Sequence, residues 1–349
     1  MITELRVSAR TPELLRPWGP DVPYNHVVVV RITLDDGRTG TGFSWTPQIG
    51  ASAVRALLEH DIREALIGMD PHPEVVWDTL WRHLREAGPG GLTTIALAGV
   101  DLALWDLRCG ARGLVETLGR RRDTVPVYGS GVNLHYTLDE LVAQALRWKA
   151  AGHPAVKIKV GRPDPREDVE RVAAVREAVG PGTLLMVDAN QRWDLHRARR
   201  AIEALTPFGL HWVEEPLPAD DVPAHVGLRR QVDVPIAVGE NVYTVYGFRD
   251  LLTSGACDVV QPNVVRVGGI TPFLRIVELA RAFDVPVHPH LLPDLSAQLA
   301  LALPLPCMAE EVEDASFAAL GLLAEPYPVS FAGAKVTVGD HRGLGLLFR

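Results

Sequence analysis

Asp188, Glu214 and Glu240 follow one another at an interval of 26 residues, in the stretches LLMVDANQRW, WVEEP and AVGEN. Each carboxylate closes a short apolar run and is followed by turn residues and then a helical pattern, which is one unit of a βα repeat. Three successive parallel strands then deliver three acids to one rim, and in a (β/α)8 barrel the C-terminal rim is where chemistry is placed. A single acid there is ordinarily a helix N-cap or a solvated loop charge. Three together repel and raise one another's pKa unless a divalent cation neutralises them. An all-oxygen set without Cys or His suits a hard ion such as Mg²⁺.

The rest of the chain fits that frame. Beyond Asp123 strands and helices alternate, with strand ends near Tyr128, Lys159, Asp188, Glu214, Glu240, Gln261, His288 and Glu310, enough to close a barrel. Ahead of it, His26 to Trp45 reads as two strands joined by the turn Asp35-Asp36-Gly37. The Pro- and Gly-rich segment ELLRPWGPDVPYN and the segment from Ser44 to Gly50 read as loops, and helical spacing runs from Ala51 to Gly113. The tail from Phe317 has no place in the repeat and is expected to return to the N-terminal part. The predicted division is an α+β domain over 1–118, completed by 317–349, and a barrel over 119–316.

A formal net charge of −8 with no basic face argues against a nucleic-acid partner. No apolar run is long enough for a membrane span, and MITELRVSAR lacks the apolar core of a signal peptide. The expectation is a soluble cytoplasmic protein with no membrane partner. Cys109, Cys257 and Cys307 are an odd, scattered set and read as buried free thiols.

Two pairs of side chains complete the predicted site. Lys157 and Lys159, in AVKIKVG, lie two residues apart and so share one strand face, here the barrel interior. Two neighbouring ammonium groups disfavour each other's protonation, which predicts a lowered pKa and makes Lys159, the outer one, the candidate base. His288 and His290, in VPVHPHLLP, also share a face; His290 lies nearer the rim, and either one is a candidate to enter the cavity.

VKIKVG, MVDANQ, WVEEP, VGEN, QPNVVRVGGIT, HPHLLPDLSA and MAEE, spread in order from Val156 to Glu311, resemble the mandelate racemase subgroup of the enolase superfamily. The resemblance implies an α/β fold, a (β/α)7β modified TIM barrel with an N-terminal α+β capping domain. It also implies that Asp188, Glu214 and Glu240 bind Mg²⁺, which chelates the carboxylate of a small-molecule substrate. Lys159 then takes the α-proton while Lys157 tunes it, and Glu310 acts as a protonated acid that hydrogen-bonds the carboxylate. Asn190 is implied as a substrate contact. In sites of this superfamily a Lys or His base works beside Mg²⁺, which stabilises an ene-diolate.

One position departs from the pattern. The family's strand-seven His is held by a strand-six Asp, and Asn263 stands there; its carbonyl is expected to accept from the ring N–H of His290 without supplying a countercharge. Loops corresponding to the family's lid carry Arg16, Trp18, Tyr24 and Trp45, and Tyr243 and Thr244 follow Glu240; all are candidate substrate contacts. The leading expectation is an acid-sugar dehydratase, a lyase acting on an aldonate or aldarate to give a 2-keto-3-deoxy acid. The alternative is a racemase or epimerase of a 2-hydroxy or 2-amino carboxylate. Cycloisomerase or dipeptide epimerase chemistry ranks below both, since that pattern carries a strand-six Lys where Asn263 stands. A metal-holding binding protein without activity ranks last, because binding alone has no use for a base. Related enzymes are commonly multimeric, which implies a homo-oligomer.

Overall fold

The computed structural model describes residues 1–349 except Pro20, Glu325 and Pro326. An antiparallel sheet of β1 (Ile2–Arg10), β2 (His26–Leu34) and β3 (Thr39–Thr46) opens the chain. The β2–β3 hairpin turns where Asp-Gly predicts it, with Gly37 at φ 83°. The strand β1 is not foreseen by the sequence pattern. A register shift between Ile2 and Glu4 breaks its alternation, and it lies at the sheet edge, so only part of it is covered.

Helices α1 (Ala51–Leu57), α2 (Arg63–Leu66), α3 (Pro73–His83), α4 (Leu92–Cys109) and α5 (Leu114–Leu118) follow. The α4 helix is apolar almost all round because it is covered on both sides, by β2 and β3 and by a barrel helix.

The barrel runs through β4 (Val125–Ser130), β5 (Ala155–Lys159), β6 (Leu184–Asp188), β7 (Leu210–Glu214), β8 (Ile236–Val238) and β9 (Val259–Val260), all parallel, and β10 (Ala309–Val312) closes it on β4. The seventh stave is reduced to a bridge between Val260 and Val287, with the His288 N–H donating to the Val260 carbonyl at 3.0 Å. Outside lie α6 (Leu138–Ala150), α7 (Pro165–Val179), α8 (Leu195–Leu205), α9 (Val222–Arg229), α10 (Val245–Ser254), α11 (Ile270–Ala282) and α12 (Pro293–Ala302). Thr137, Asp164, Asp194, Asp221 and Thr244 cap α6 to α10 with side-chain oxygens, satisfying first-turn N–H groups. Thr244, a candidate substrate contact, thus has a structural task as the cap of α10.

Period-two alternation stacks the barrel interior in layers. Met186 and Trp212 stand two residues before Asp188 and Glu214, and with Tyr128, Ala155, Ala237, Val259 and Met308 they form an apolar floor under the acidic rim. The tail packs on the N-terminal sheet, where the ring centroid of Phe317 lies 4.9 Å from that of Phe43. It also joins the barrel: β11 (Val329–Ala332) and β12 (Lys335–Val338) form a hairpin whose second strand pairs antiparallel with β4.

The α4 helix is fastened to the first turn of α11. Asp101, fully enclosed, accepts the Thr271 N–H at 3.0 Å, and the Trp105 indole donates to the Thr271 hydroxyl at 2.9 Å. Gly269 sits at φ 112°, and a Cβ there would lie 2.6 Å from the Cβ of Asp101. Gly269→Ala therefore combines a left-handed backbone with a clash in a close-packed contact. We expect it to lower the unfolding free energy by about 1–3 kcal/mol, read by chemical denaturation.

Candidate active site

Register places the acids side by side. Lys159 on β5 is opposite Asp188 on β6, and Asp188 is opposite Glu214 on β7. Glu240 lies two residues beyond β8, in the turn before α10. Non-glycine residues with positive φ gather just past the strand ends: Asn190 (43°), Gln191 (61°), Glu215 (37°), Leu291 (53°) and Leu292 (50°). Backbone strain of this kind persists where the surrounding structure over-determines it, and it clusters at active sites.

Lys157 is enclosed between two carboxylates, its Nζ 2.7 Å from Glu214 Oε2 and 2.8 Å from Glu310 Oε1. Lys159, nearer the rim, pairs with Asp188, and its backbone N–H donates to Asn133 Oδ1 at 2.8 Å. His290 Nε2 lies 3.3 Å from Glu240 Oε2 and 3.7 Å from Glu310 Oε2. Arg266 reaches Glu240 Oε1 at 3.3 Å. Asn190 bonds back to Asp188, through its N–H to Oδ1 at 2.8 Å and its amide to Oδ2 at 3.3 Å.

The protonation pattern corrects two sequence expectations. Burial by itself depresses both lysines, but the acids outweigh it: Glu214 and Glu310 hold Lys157 well above its ordinary value, and Asp188 holds Lys159 up. The lysine–lysine repulsion that predicts a lowered pKa is present and is the smaller effect. Glu310, which the resemblance implies is protonated, is here held well below the carboxylate range. Burial opposes this, but Lys157 and the Leu291 N–H, at 2.7 Å from Oε2, prevail. Burial also pushes Glu214 up; against it stand two hydrogen bonds from Lys157 and one from Gln261, and we assign Glu214 as a carboxylate.

The geometry separates the two histidines. His290 meets the acids, whereas His288 lies a layer lower, its ring centroid 5.1 Å from that of Trp212 and its Nδ1 accepting the Met308 N–H at 3.1 Å. Burial drives the His288 pKa down to about 4, so it stays neutral.

The remaining candidate substrate contacts have varied surroundings. Arg16 pairs with Glu140 at 2.8 Å and covers the Tyr136 ring at 3.4 Å from its centroid. Trp45 belongs to the core and meets Trp18 edge-on at 6.1 Å. Tyr24 is exposed, and Tyr243 packs beside Gly90.

Several members of the site are not evident from sequence patterns. Gln261 donates to Glu214 Oε2 at 2.7 Å, and its place two residues before Asn263 on an inward-facing run is the signal that points to it. Glu215 is fully buried, held by Asn241 at 2.7 Å, and burial and the neighbouring acids raise its pKa far above the carboxylate range. The approach of Arg266 to Glu240 has no counterpart in strand periodicity. Partners behind a ligand typically alter metal affinity or activity 10–100-fold. Gln261→Leu is accordingly expected to weaken Mg²⁺ binding by about 10–100-fold, measured by calorimetric titration.

The donor set fits a hard cation. Among the described residues, ligand atoms of Glu214, Glu240 and His290 lie within 4.8 Å of one another. Asp188, also wholly buried, adjoins Glu214 in register and turns its oxygens to Lys159 and Asn190. Carboxylates from neighbouring strand ends, in excess over the cations that face them, are the chemistry Mg²⁺ requires.

Residues 21–117 match the N-terminal domain family of mandelate racemase and muconate lactonizing enzyme, and residues 140–349 match the enolase C-terminal domain-like family. The chain is 38% identical to the 3,6-anhydro-alpha-L-galactonate cycloisomerase of Streptomyces coelicolor, over 92% of this chain and 88% of the relative. A racemase from Streptomyces coelicolor A3(2) with bound magnesium superposes with a TM-score of 0.93 at 34% identity, covering 100% of this chain and 97% of the other. L-Talarate dehydratase from Polaromonas sp. JS666, complexed with Mg and L-glucarate, gives a TM-score of 0.87 at 35% identity, covering 100% and 95%. With both family matches falling in order along a capped barrel whose rim carries these acids and lysines, the chain is a member of the mandelate racemase/muconate lactonizing enzyme family of the enolase superfamily.

Proposed function

We propose that the chain is a Mg²⁺-dependent acid-sugar lyase that removes the proton α to the carboxylate and expels the β-oxygen, giving a 2-keto-3-deoxy acid. The observation that carries this reading is the enclosure of Lys157 and Lys159 by Asp188, Glu214 and Glu310 on one buried rim, with Glu240 and His290 beside them. Asp188, Glu214 and Glu240 would hold the cation. When bound, it supplies the positive charge against which a second negative charge can develop on the substrate carboxylate.

The chain's own residues divide the remaining work. Lys157, locked between two carboxylates, is a fixed countercharge that orients them. Lys159 is the less confined one, nearer the mouth: Asp188 holds it as an ammonium, and Asp188 committed to the cation would withdraw that countercharge, so that Nζ sheds its proton and can take the α-proton. As that C–H bond breaks, its electron pair forms the double bond and the bond to the β-oxygen breaks. The leaving oxygen gains a proton, for which the Lys159 ammonium formed in the first step is the donor, and the enol left behind tautomerises to the keto acid. In this reading residues 1–118 with 317–349 form the capping unit and 119–316 the catalytic barrel.

A second reading is favoured by the cycloisomerase relative. A 3,6-anhydro acid carries its β-oxygen in a ring ether, so the same bond cleavage opens the ring and releases no water. Mass separates the readings. The Mg²⁺-loaded protein is incubated with aldonates, aldarates and 3,6-anhydro acids. A keto acid lighter by one water marks a dehydratase; one of unchanged mass marks a cycloisomerase. Inverted substrate alone would mark a racemase or epimerase, and no reaction across the panel would contradict the proposal.

A further inference from the structure

Asn263 does not face His290 in the way the sequence suggests. Its Oδ1 is already taken, accepting the backbone N–H of Val265 at 3.0 Å and of Arg266 at 3.1 Å. Those two donors fix the orientation of the amide, because the flipped form would set an NH2 group against two N–H groups. The group turned toward the imidazole is therefore Nδ2, 3.3 Å from His290 Nδ1. An amide nitrogen donates and cannot accept, so Nδ1 must carry a lone pair.

At the other end of the ring, Nε2 lies 3.3 Å from Glu240 Oε2 and 3.7 Å from Glu310 Oε2, and carboxylate oxygens only accept, so the form with hydrogen on Nε2 is compatible with both neighbours.

We propose that Asn263 is a positioning residue that fixes His290 as the Nε2–H tautomer, making it a hydrogen-bond donor to the reacting substrate and removing it as a base. A base at Nε2 would end as an imidazolium with hydrogen on both nitrogens, and its Nδ1–H would then meet the Asn263 Nδ2–H2 group head on. An Asp at this position would accept that hydrogen; Asn opposes it. Proton abstraction consequently belongs to Lys159 alone, and the substrate Cα exchanges its proton from one face. The role of the donor is to stabilise oxygen as negative charge grows on it. This deepens the lyase reading and rests on it for the identity of the reacting atoms.

The tautomer is measurable without turnover. Protein labelled with ¹⁵N-histidine, free and Mg²⁺-loaded, is recorded by long-range ¹H–¹⁵N correlation, with His290 assigned by its loss in His290→Gln. Hydrogen on Nε2 and a bare Nδ1 is the expected result; hydrogen on Nδ1 overturns the proposal. This readout remains decisive even if no acid sugar is turned over, so its failure and that of the functional reading can be told apart.

A second arm uses Asn263→Asp. Its His290 should move its hydrogen to Nδ1 and become a base. With a 2-hydroxy acid that lacks a β-oxygen, in ²H₂O, wild type is expected to exchange the α-hydrogen with retention only. The variant should gain inverted product by about 10²-fold, the low end of what one positioned base contributes. Inversion by wild type at the same rate as by the variant would overturn the proposal.

Discussion

Lys159→Ala should lower kcat for acid-sugar turnover by about 10²–10⁴-fold, the range one positioned general base supplies. The protein should stay folded and keep its affinity for Mg²⁺. Lys159 is the lysine at the mouth, its Nζ paired among the described residues only with Asp188, whereas Lys157 is sealed between Glu214 and Glu310. Removing the Lys159 side chain takes away the atom that accepts the α-proton and leaves the layer beneath intact. Steady-state kinetics with circular dichroism on the same preparation separate the outcomes. A kcat within a few-fold of wild type would move the base elsewhere in the site.

Lys157→Met has a different signature. A single ammonium neutralises two carboxylates at 2.7 and 2.8 Å, all three groups being almost entirely enclosed. Breaking a buried ion pair by deleting one partner costs about 3–5 kcal/mol, since the remaining charge is left without compensation. The variant should be destabilised by that amount at neutral pH in Mg²⁺-free buffer, measured by denaturant titration. The pH dependence has a definite sign. Without Lys157, burial raises the pKa of Glu214 and Glu310 in the folded state above the unfolded values. Groups of that kind contribute stability when protonated and lose it as pH rises through the folded pKa. The gap to wild type should therefore narrow as pH is lowered from neutral. A constant gap would mean that the loss comes from packing.

The parts of this molecule legible in its sequence are those written at short range. The interval between Asp188, Glu214 and Glu240 reflects one βα unit per carboxylate, and the period of two that puts Lys157 and Lys159 on one face is a property of any strand. The hairpin turn at Asp36-Gly37 is likewise local. What stays hidden depends on contacts between distant segments. Glu310 approaches Lys157 across the seam where β10 closes on β4, and that encounter holds the Glu310 carboxyl ionised and adds to what Glu214 does for Lys157. The orientation of the Asn263 amide depends on two backbone N–H groups in the turn that follows it, which residue identity alone does not reveal. β1 is hidden because a register shift interrupts its alternation, and the seventh stave because it is only a bridge.

The fate of the hydrogen on the carbon next to the carboxylate tests the proposed chemistry most directly. An acid sugar deuterated at C2 is given to the Mg²⁺-loaded protein, and deuterium is followed in product and in solvent. The predicted result is release of the C2 deuterium to solvent, turnover slower than with the protonated substrate, and loss of that release in Lys159→Ala. Deuterium carried over intact to a neighbouring carbon of the product, or undiminished release by Lys159→Ala, would contradict it.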